Sequence, residues 1–198
     1  MAACTLAVAS FSCMTPGNMA PADPCECRSC RVKSPVRCMI EWNDSVLTGH
    51  EDGRICFWTP NGEAILQDDG ADSQKVVKMH NTAVTCLVPL DRDQGVWSCS
   101  SAGTVRKMNT SCVRTSIECK TPGKKAAHST EVNAAVLAGS APRHLIWTGA
   151  MTIRVWNGET GEWKQTLETH SGKVTCMVCA RGAVWVGHST GKLLLFDE

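Results

Sequence analysis

The 198-residue chain predicts an all-β fold of four repeated units, the last incomplete, and three observations carry that prediction. First, residues 170–197 read HSGKVTCMVCARGAVWVGHSTGKLLLFD, three short β-branched, aromatic and aliphatic runs divided by polar turns, which is strand rather than helix wording. Second, the wording returns three times upstream, with 28 positions from His80 to Met108, 28 from His128 to Trp156 and 26 from His170 to Phe196. Third, Leu47, Trp97, Trp147 and Trp185 share one place in the second run of each unit, and Trp58, Met108, Trp156 and Phe196 share one in the third. Units of roughly 40 to 50 residues with four short strands each are the signature of a propeller blade, so the expected architecture is a partial β-propeller.

Taken in order, residues 1–33 carry Pro16, Gly17, Pro21, Pro24 and many small residues without a period, and read as a disordered Cys/Pro-rich tail. Cys25, Cys27 and Cys30 lie there in a C-x-C-x-x-C cluster. Three thiolates could bind zinc, but no His or Cys at ligand spacing completes a closed site, so no metal is expected. The first blade, about 34–79, runs PVRCMI, DSVLTG, the turn HEDG, RICFWT, and then AILQ after Asn61-Gly62, a pair that tolerates positive φ. The DDGADSQ that follows reads as a solvated loop.

The second blade, about 80–127, gives HNTAVTCLVPL, GVWSCS, a turn at Ser101-Ala102-Gly103, TVRKMNT, the alternating CVRTSIEC and a polar linker KTPGKKAAH. The third, about 128–169, gives STEVNAAVL, HLIWTG, a turn shortened by two residues at Ala150-Met151, TIRVWN and EWKQTLE. The fourth, about 170–198, stops after three strands.

Composition excludes several classes. The chain is 43% hydrophobic and 20% charged, as a soluble globular protein is. No run approaches the roughly 20 apolar residues of a membrane helix. The start TLAVASF has no basic region before it, which argues against a secretory signal. A net charge of +1 with dispersed basic residues gives no footprint for nucleic acid. The 13 cysteines in a chain of this size read as reduced thiols in a cytoplasmic protein, with Cys38, Cys86 and Cys176 as packed strand residues in VRCM, VTCL and VTCM.

Little else points to chemistry. His50 and His188 read as equivalent turn residues, and no histidine has a motif pairing it to a nucleophile or metal. GHSTGK at 187–192 has one residue too few between its glycines for a phosphate loop, and Leu193 stands where Ser or Thr would hold magnesium. Asn43-Asp44-Ser45 and Asn109-Thr110-Ser111 fit glycosylation acceptors that a cytoplasmic chain leaves idle. Lys120, Lys124 and Lys125 make a small solvated basic linker rather than a lipid patch. No cofactor is expected.

Over about residues 34–198 the chain resembles the WD-repeat family, whose units open with Gly-His or His and close the third strand with Trp-Asp. The resemblance implies a tetrad of His, Ser or Thr, Asp and Trp within each blade. Thr48, Asp52 and Trp58 match in the first blade, which has no His. His80 and Ser98 match in the second, where Ala102 and Met108 replace Asp and Trp. His128, Thr148 and Trp156 match in the third, and only His170 in the fourth, where Val186, Thr190 and Phe196 replace the rest. With no tetrad complete, cohesion is expected from apolar burial more than from buried polar networks.

VLTGHEDGRICFW, HLIWTGAMTIRVWN and GAVWVGHSTGKLLLFD also look like blades of the propeller that precedes the catalytic domain in WD-repeat inositol polyphosphate 5-phosphatases. The implied function is a noncatalytic scaffold for a protein partner, the alternative being a propeller fragment or regulatory part of such a phosphatase. Propellers of this family usually close with seven or eight blades, so four should leave open strand edges and invite self-association or a missing half. Thr5 to Phe11 could instead supply the missing strand.

Overall fold

A computed structural model of the chain describes residues 32–59, 76–90, 95–108, 116–139 and 143–197. They form a partial propeller of four antiparallel sheets, each a meander in chain order. The first blade holds β1 (Val36–Trp42), β2 (Ser45–His50), β3 (Arg54–Trp58) and β4 (Val76–Lys78). The second holds β5 (Val84–Pro89), β6 (Val96–Ser100), β7 (Val105–Met108) and β8 (Ser116–Cys119). β9 (Ala134–Ala138), β10 (Leu145–Gly149), β11 (Ile153–Asn157) and β12 (Trp163–Leu167) make the third. The fourth has three strands, β13 (Val174–Ala180), β14 (Ala183–His188) and β15 (Leu193–Asp197). Among the described residues no helix is long and apolar enough to cross a membrane.

The tail with its Cys25, Cys27 and Cys30 cluster, the AILQ run and the second glycosylation acceptor lie outside the described residues. The strand that pairs with β3 is Val76–Lys78, three residues too short to alternate visibly. His50 and His188 are not turn residues. Each is the last residue of a second strand, buried.

Local chemistry explains the shared shape of the blades. β1–β2 and β13–β14 turn in two residues, Asn43-Asp44 and Arg181-Gly182, all with positive φ as this tight hairpin demands. In VRC, VTC and VTC the pairing register shifts between Val and Cys, so each of β1, β5 and β13 bulges there. The small thiol then lies against its cross-strand partner, Gly49 for Cys38, Cys99 for Cys86 and Gly187 for Cys176. At Gly49 an added Cβ would come within 2.6 Å of the Cys38 Sγ.

Alternation gives every blade two faces, because residues opposite one another in an antiparallel pair share a face. β1, β5, β9 and β13 lie side by side in chain order, and three apolar cores fill the three gaps. Leu47, Ile55 and Phe57 of the first blade meet Leu87, Val96 and Met108 of the second. Trp97, Cys99 and Val105 meet Ile146 and Trp156 of the third. Trp147, Ile153 and Val155 meet Val184, Val186 and Phe196 of the fourth. Each blade thus offers a trailing face to the leading face of the next.

A backbone staple runs along the same seams. Gly53 O accepts from the Met79 and His80 N–H groups, Gly103 O from His128, and Ala150 O from Val174. The turn between second and third strands of each blade therefore holds the opening of the next. At Gly53 (φ 84) and Gly103 (φ 80) a Cβ would fall 2.1 Å from His80 O and 2.4 Å from His128 O, which reserves both places for glycine.

Candidate functional site

The buried polar groups inside the blades are the places where chemistry could reside. In the third blade the Thr148 hydroxyl lies 2.8 Å from His128 Nε2 and accepts the Trp156 indole N–H at 2.8 Å. All three residues are buried. The alternation of HLIWTG aims Thr148 at the same face as Trp156 and puts Trp147 on the other.

The first blade builds the same triangle from a different histidine. Trp58 donates its indole N–H to Thr48 Oγ1 at 2.8 Å, and His50 Nε2 lies 2.8 Å from that oxygen. His50 Nδ1 reaches Ser34 O at 3.0 Å. The His missing from the blade's opening is thus supplied by the end of its second strand. Asp52 is turned away from this group. Its carboxylate pairs with Arg54 at 3.0 Å and accepts the Arg54 N–H, while its own N–H donates to Ser34 Oγ.

In the second blade His80 sits between two hydroxyls, Ser98 Oγ at 2.9 Å from Nε2 and Thr104 Oγ1 at 2.6 Å from Nδ1. Thr104 also lies 2.6 Å from Ser100 Oγ. A threonine just beyond the turn thus stands in for the Asp that Ala102 replaces. Sequence comparison at fixed positions missed it, although a Ser and a Thr flanking the turn were a usable signal.

The fourth blade lacks the arrangement. His170 has φ 48 and is exposed, which corrects its assignment as the blade's one matching residue. Of its would-be partners Val186 and Phe196 are apolar, and the Thr190 hydroxyl donates to Ser171 O at 2.7 Å. His188 is buried instead, with Nδ1 3.1 Å from Gly172 O and Nε2 lacking a partner. Cys176 is exposed too, not a core residue, because no blade covers its face. In the first three blades, buried hydroxyl and imidazole bonds supplement apolar cohesion more than expected.

The electrostatics make His80 and His128 fixed hydrogen-bonding groups. Burial, with Arg106 nearby, lowers the His80 pKa to about 4. Burial, with Arg154 nearby, lowers that of His128 to about 3. Both are neutral at pH 7. His80 and Ser98 have the separation of a base and a nucleophile, but Ser98 is wholly buried and no substrate can reach it. Burial likewise pushes the thiols of Cys38, Cys86 and Cys119 up to about 12, which suppresses the reactive thiolate.

The repeated tryptophans mark the seams. Trp97 donates to Gly158 O at 3.0 Å and packs on Trp156 at 6.5 Å between ring centroids. Trp147 packs on Phe196 at 5.7 Å, its buried Nε1 without a partner. Trp185, at the same repeat position, is exposed. Among the described residues no group of three His, Cys, Asp or Glu side chains could hold a metal. Lys120 pairs with Glu118 at 3.8 Å, and Lys124 and Lys125 face solvent.

No protein-family model and no curated protein matches the chain. Solved structures do. The computationally designed Ika4 protein is similar at a TM-score of 0.63 and 23% identity, over 84% of this chain and 93% of that one. The designed Ika8 protein is similar at 0.59 and 23%, over 84% of this chain and 46% of that one. The WD40 repeats of RRP9 are similar at 0.60 and 13%, over 84% and 52%. These likenesses show the propeller fold, and the chain spans about half the length of the latter two.

Proposed function

We propose that the chain is a noncatalytic, WD-repeat-like scaffold that binds a protein partner along the end of the blades carrying the turns between second and third strands. One observation carries the reading: the buried groups best suited to chemistry, His50, His80 and His128, are each bonded to a hydroxyl inside a blade. What remains for recognition is the exposed row of turns, including Glu51, Ala102, Met151 and Thr190. A cytoplasmic setting belongs to the same proposal and is supported by the free thiols of Cys38, Cys56, Cys86, Cys99, Cys119 and Cys176.

The phosphatase likeness rests on the wording of three blades and draws no support from the similar structures. Two measurements test the reading. Quantitative affinity capture with the wild-type chain and with Met151→Glu should show a partner that the variant loses while its circular dichroism is unchanged. Equal capture would remove the turn row as the binding end. Turnover of inositol phosphates by the purified chain would overturn the noncatalytic assignment.

A further inference from the structure

We propose that two copies of this chain pair head to tail, the trailing face of each fourth blade seated on the leading face of the other copy's first blade, closing one eight-bladed ring. Each copy carries both halves of an interface that the chain already makes three times within itself.

Among the described residues no blade covers the trailing face of the fourth blade. Val178, Trp185, Leu193 and Leu195 share it by register and are 47%, 39%, 60% and 52% exposed. The residues equivalent to Leu193 in the other blades, Ile55, Val105 and Ile153, are 0% exposed because a neighbouring blade covers them. The leading face of the first blade is the counterpart. Met39 and Trp58 lie on it, and Met39 is 62% exposed where its equivalent Leu87 is 8%.

The seams show what fills these faces. At each one, the second-strand position of a blade meets the third-strand position of the next: Leu47 and Met108 share a core, Trp97 packs on Trp156, and Trp147 packs on Phe196. The two members left over are Trp185 and Trp58, and one chain cannot bring them together across its open ends. In a second copy they meet as the fourth pair of the series. The staple has a free end as well. Gly53 and Gly103 press on the opening backbone of the following blade, whereas Gly191, in the equivalent turn with φ 81, has nothing within 4 Å.

A first blade has the complementary face, and this chain possesses one. A head-to-tail contact closes when its rotation divides a full turn. The matched part of the chain covers 93% of one similar chain and 46% and 52% of two larger ones, and a second copy would supply a length of blades equal to the remainder of the larger two. The contact uses blade faces and leaves the turn row open, so it stands or falls separately from the partner proposed above.

Light scattering coupled to gel filtration tests the pairing. The wild-type chain is expected at twice its 21.3 kDa mass. Leu195→Lys and Met39→Glu alter side chains that are exposed within one chain, and each should weaken the dimer about tenfold or more with its circular dichroism preserved. Mixing the two variants should restore dimer, since one interface is then wild type on both sides and the other sets Lys against Glu. A wild-type monomer at tens of micromolar overturns the proposal, whether the faces stay bare, are covered by residues 1–31 or await a different partner. Open polymers, or a dimer that neither variant weakens, overturn it equally.

Discussion

The Trp156 indole N–H donates to Thr148 Oγ1 at 2.8 Å, and His128 Nε2 lies at the same distance from that oxygen. One hydroxyl thus satisfies two buried ring nitrogens on two separate segments. Thr148→Val keeps the shape and strands both nitrogens, and it is expected to destabilise the chain by about 3 kcal/mol. Ser98→Ala strands only one ring nitrogen, that of His80, and should cost about half as much. Urea unfolding followed by tryptophan fluorescence ranks the two, and equal losses would show that the Thr148 hydroxyl is not shared.

The depressed histidines give stability a defined pH dependence. His80 is held to about 4 and His128 to about 3, in both cases by burial first and a neighbouring guanidinium second. In the unfolded chain an imidazole titrates near ~6.5. Below that pH the unfolded state binds protons that the folded state refuses. Their contribution is therefore complete above ~6.5 and is lost as pH falls toward 4 and 3, at up to about 1.4 kcal/mol per unit for each histidine. The urea midpoint should be level from pH 7 to 8 and slope down from about 6. The His80→Gln, His128→Gln double variant should be less stable at pH 7 but flatter, and an undiminished slope would reassign it to other groups.

How much of this was legible depends on whether a feature repeats. Leu47, Trp97 and Trp147 recur because every seam needs a large side chain there, so the blade order could be read from spacing. The hydrogen-bonded interiors were half legible. Thr48, Ser98 and Thr148 keep one register, but the groups around them do not: His50 reaches Thr48 from a strand end, and Thr104 reaches the other nitrogen of His80 from beyond a turn. Matching fixed positions cannot see that a different residue completes the same set of bonds. His170 failed because Val186 and Phe196 stand where a hydroxyl and an indole would. Cys176 and Trp185 failed for another reason. They hold the repeat's positions on a trailing face that no other described blade covers, and burial depends on the neighbour as well as on the residue.

The turn glycines separate two costs that usually occur together. Gly103 and Gly191 share a φ near 80, but a Cβ at Gly103 would strike His128 O at 2.4 Å and Thr130 O at 2.7 Å, whereas at Gly191 it meets open space. With both changes made in the monomeric Leu195→Lys background, Gly191→Ala should therefore lose only the backbone preference, about 1 kcal/mol. Gly103→Ala must also push the third blade's opening segment away, and it is expected to cost at least about 2 kcal/mol more. Thermal unfolding of the two variants side by side measures the difference, and similar melting temperatures would mean that the staple yields without cost.

The first blade shows how to improve the fourth. His50 and His188 end equivalent strands, but His50 Nε2 finds Thr48 Oγ1 at 2.8 Å, whereas His188 Nε2 is buried without a partner because the corresponding residue is Val186. Val186→Thr exchanges one methyl of a buried side chain for a hydroxyl of nearly the same size, placed by register where Thr48 stands. Satisfying the orphaned nitrogen should stabilise the chain by about 1 kcal/mol, a reversal of the usual penalty for a polar atom in a core. The gain should vanish in a His188→Phe background, where the new hydroxyl has no imidazole to meet. A double-mutant cycle by urea unfolding measures that coupling, and a Val186→Thr variant equally destabilising in both backgrounds would show that the two blades do not place this pair alike.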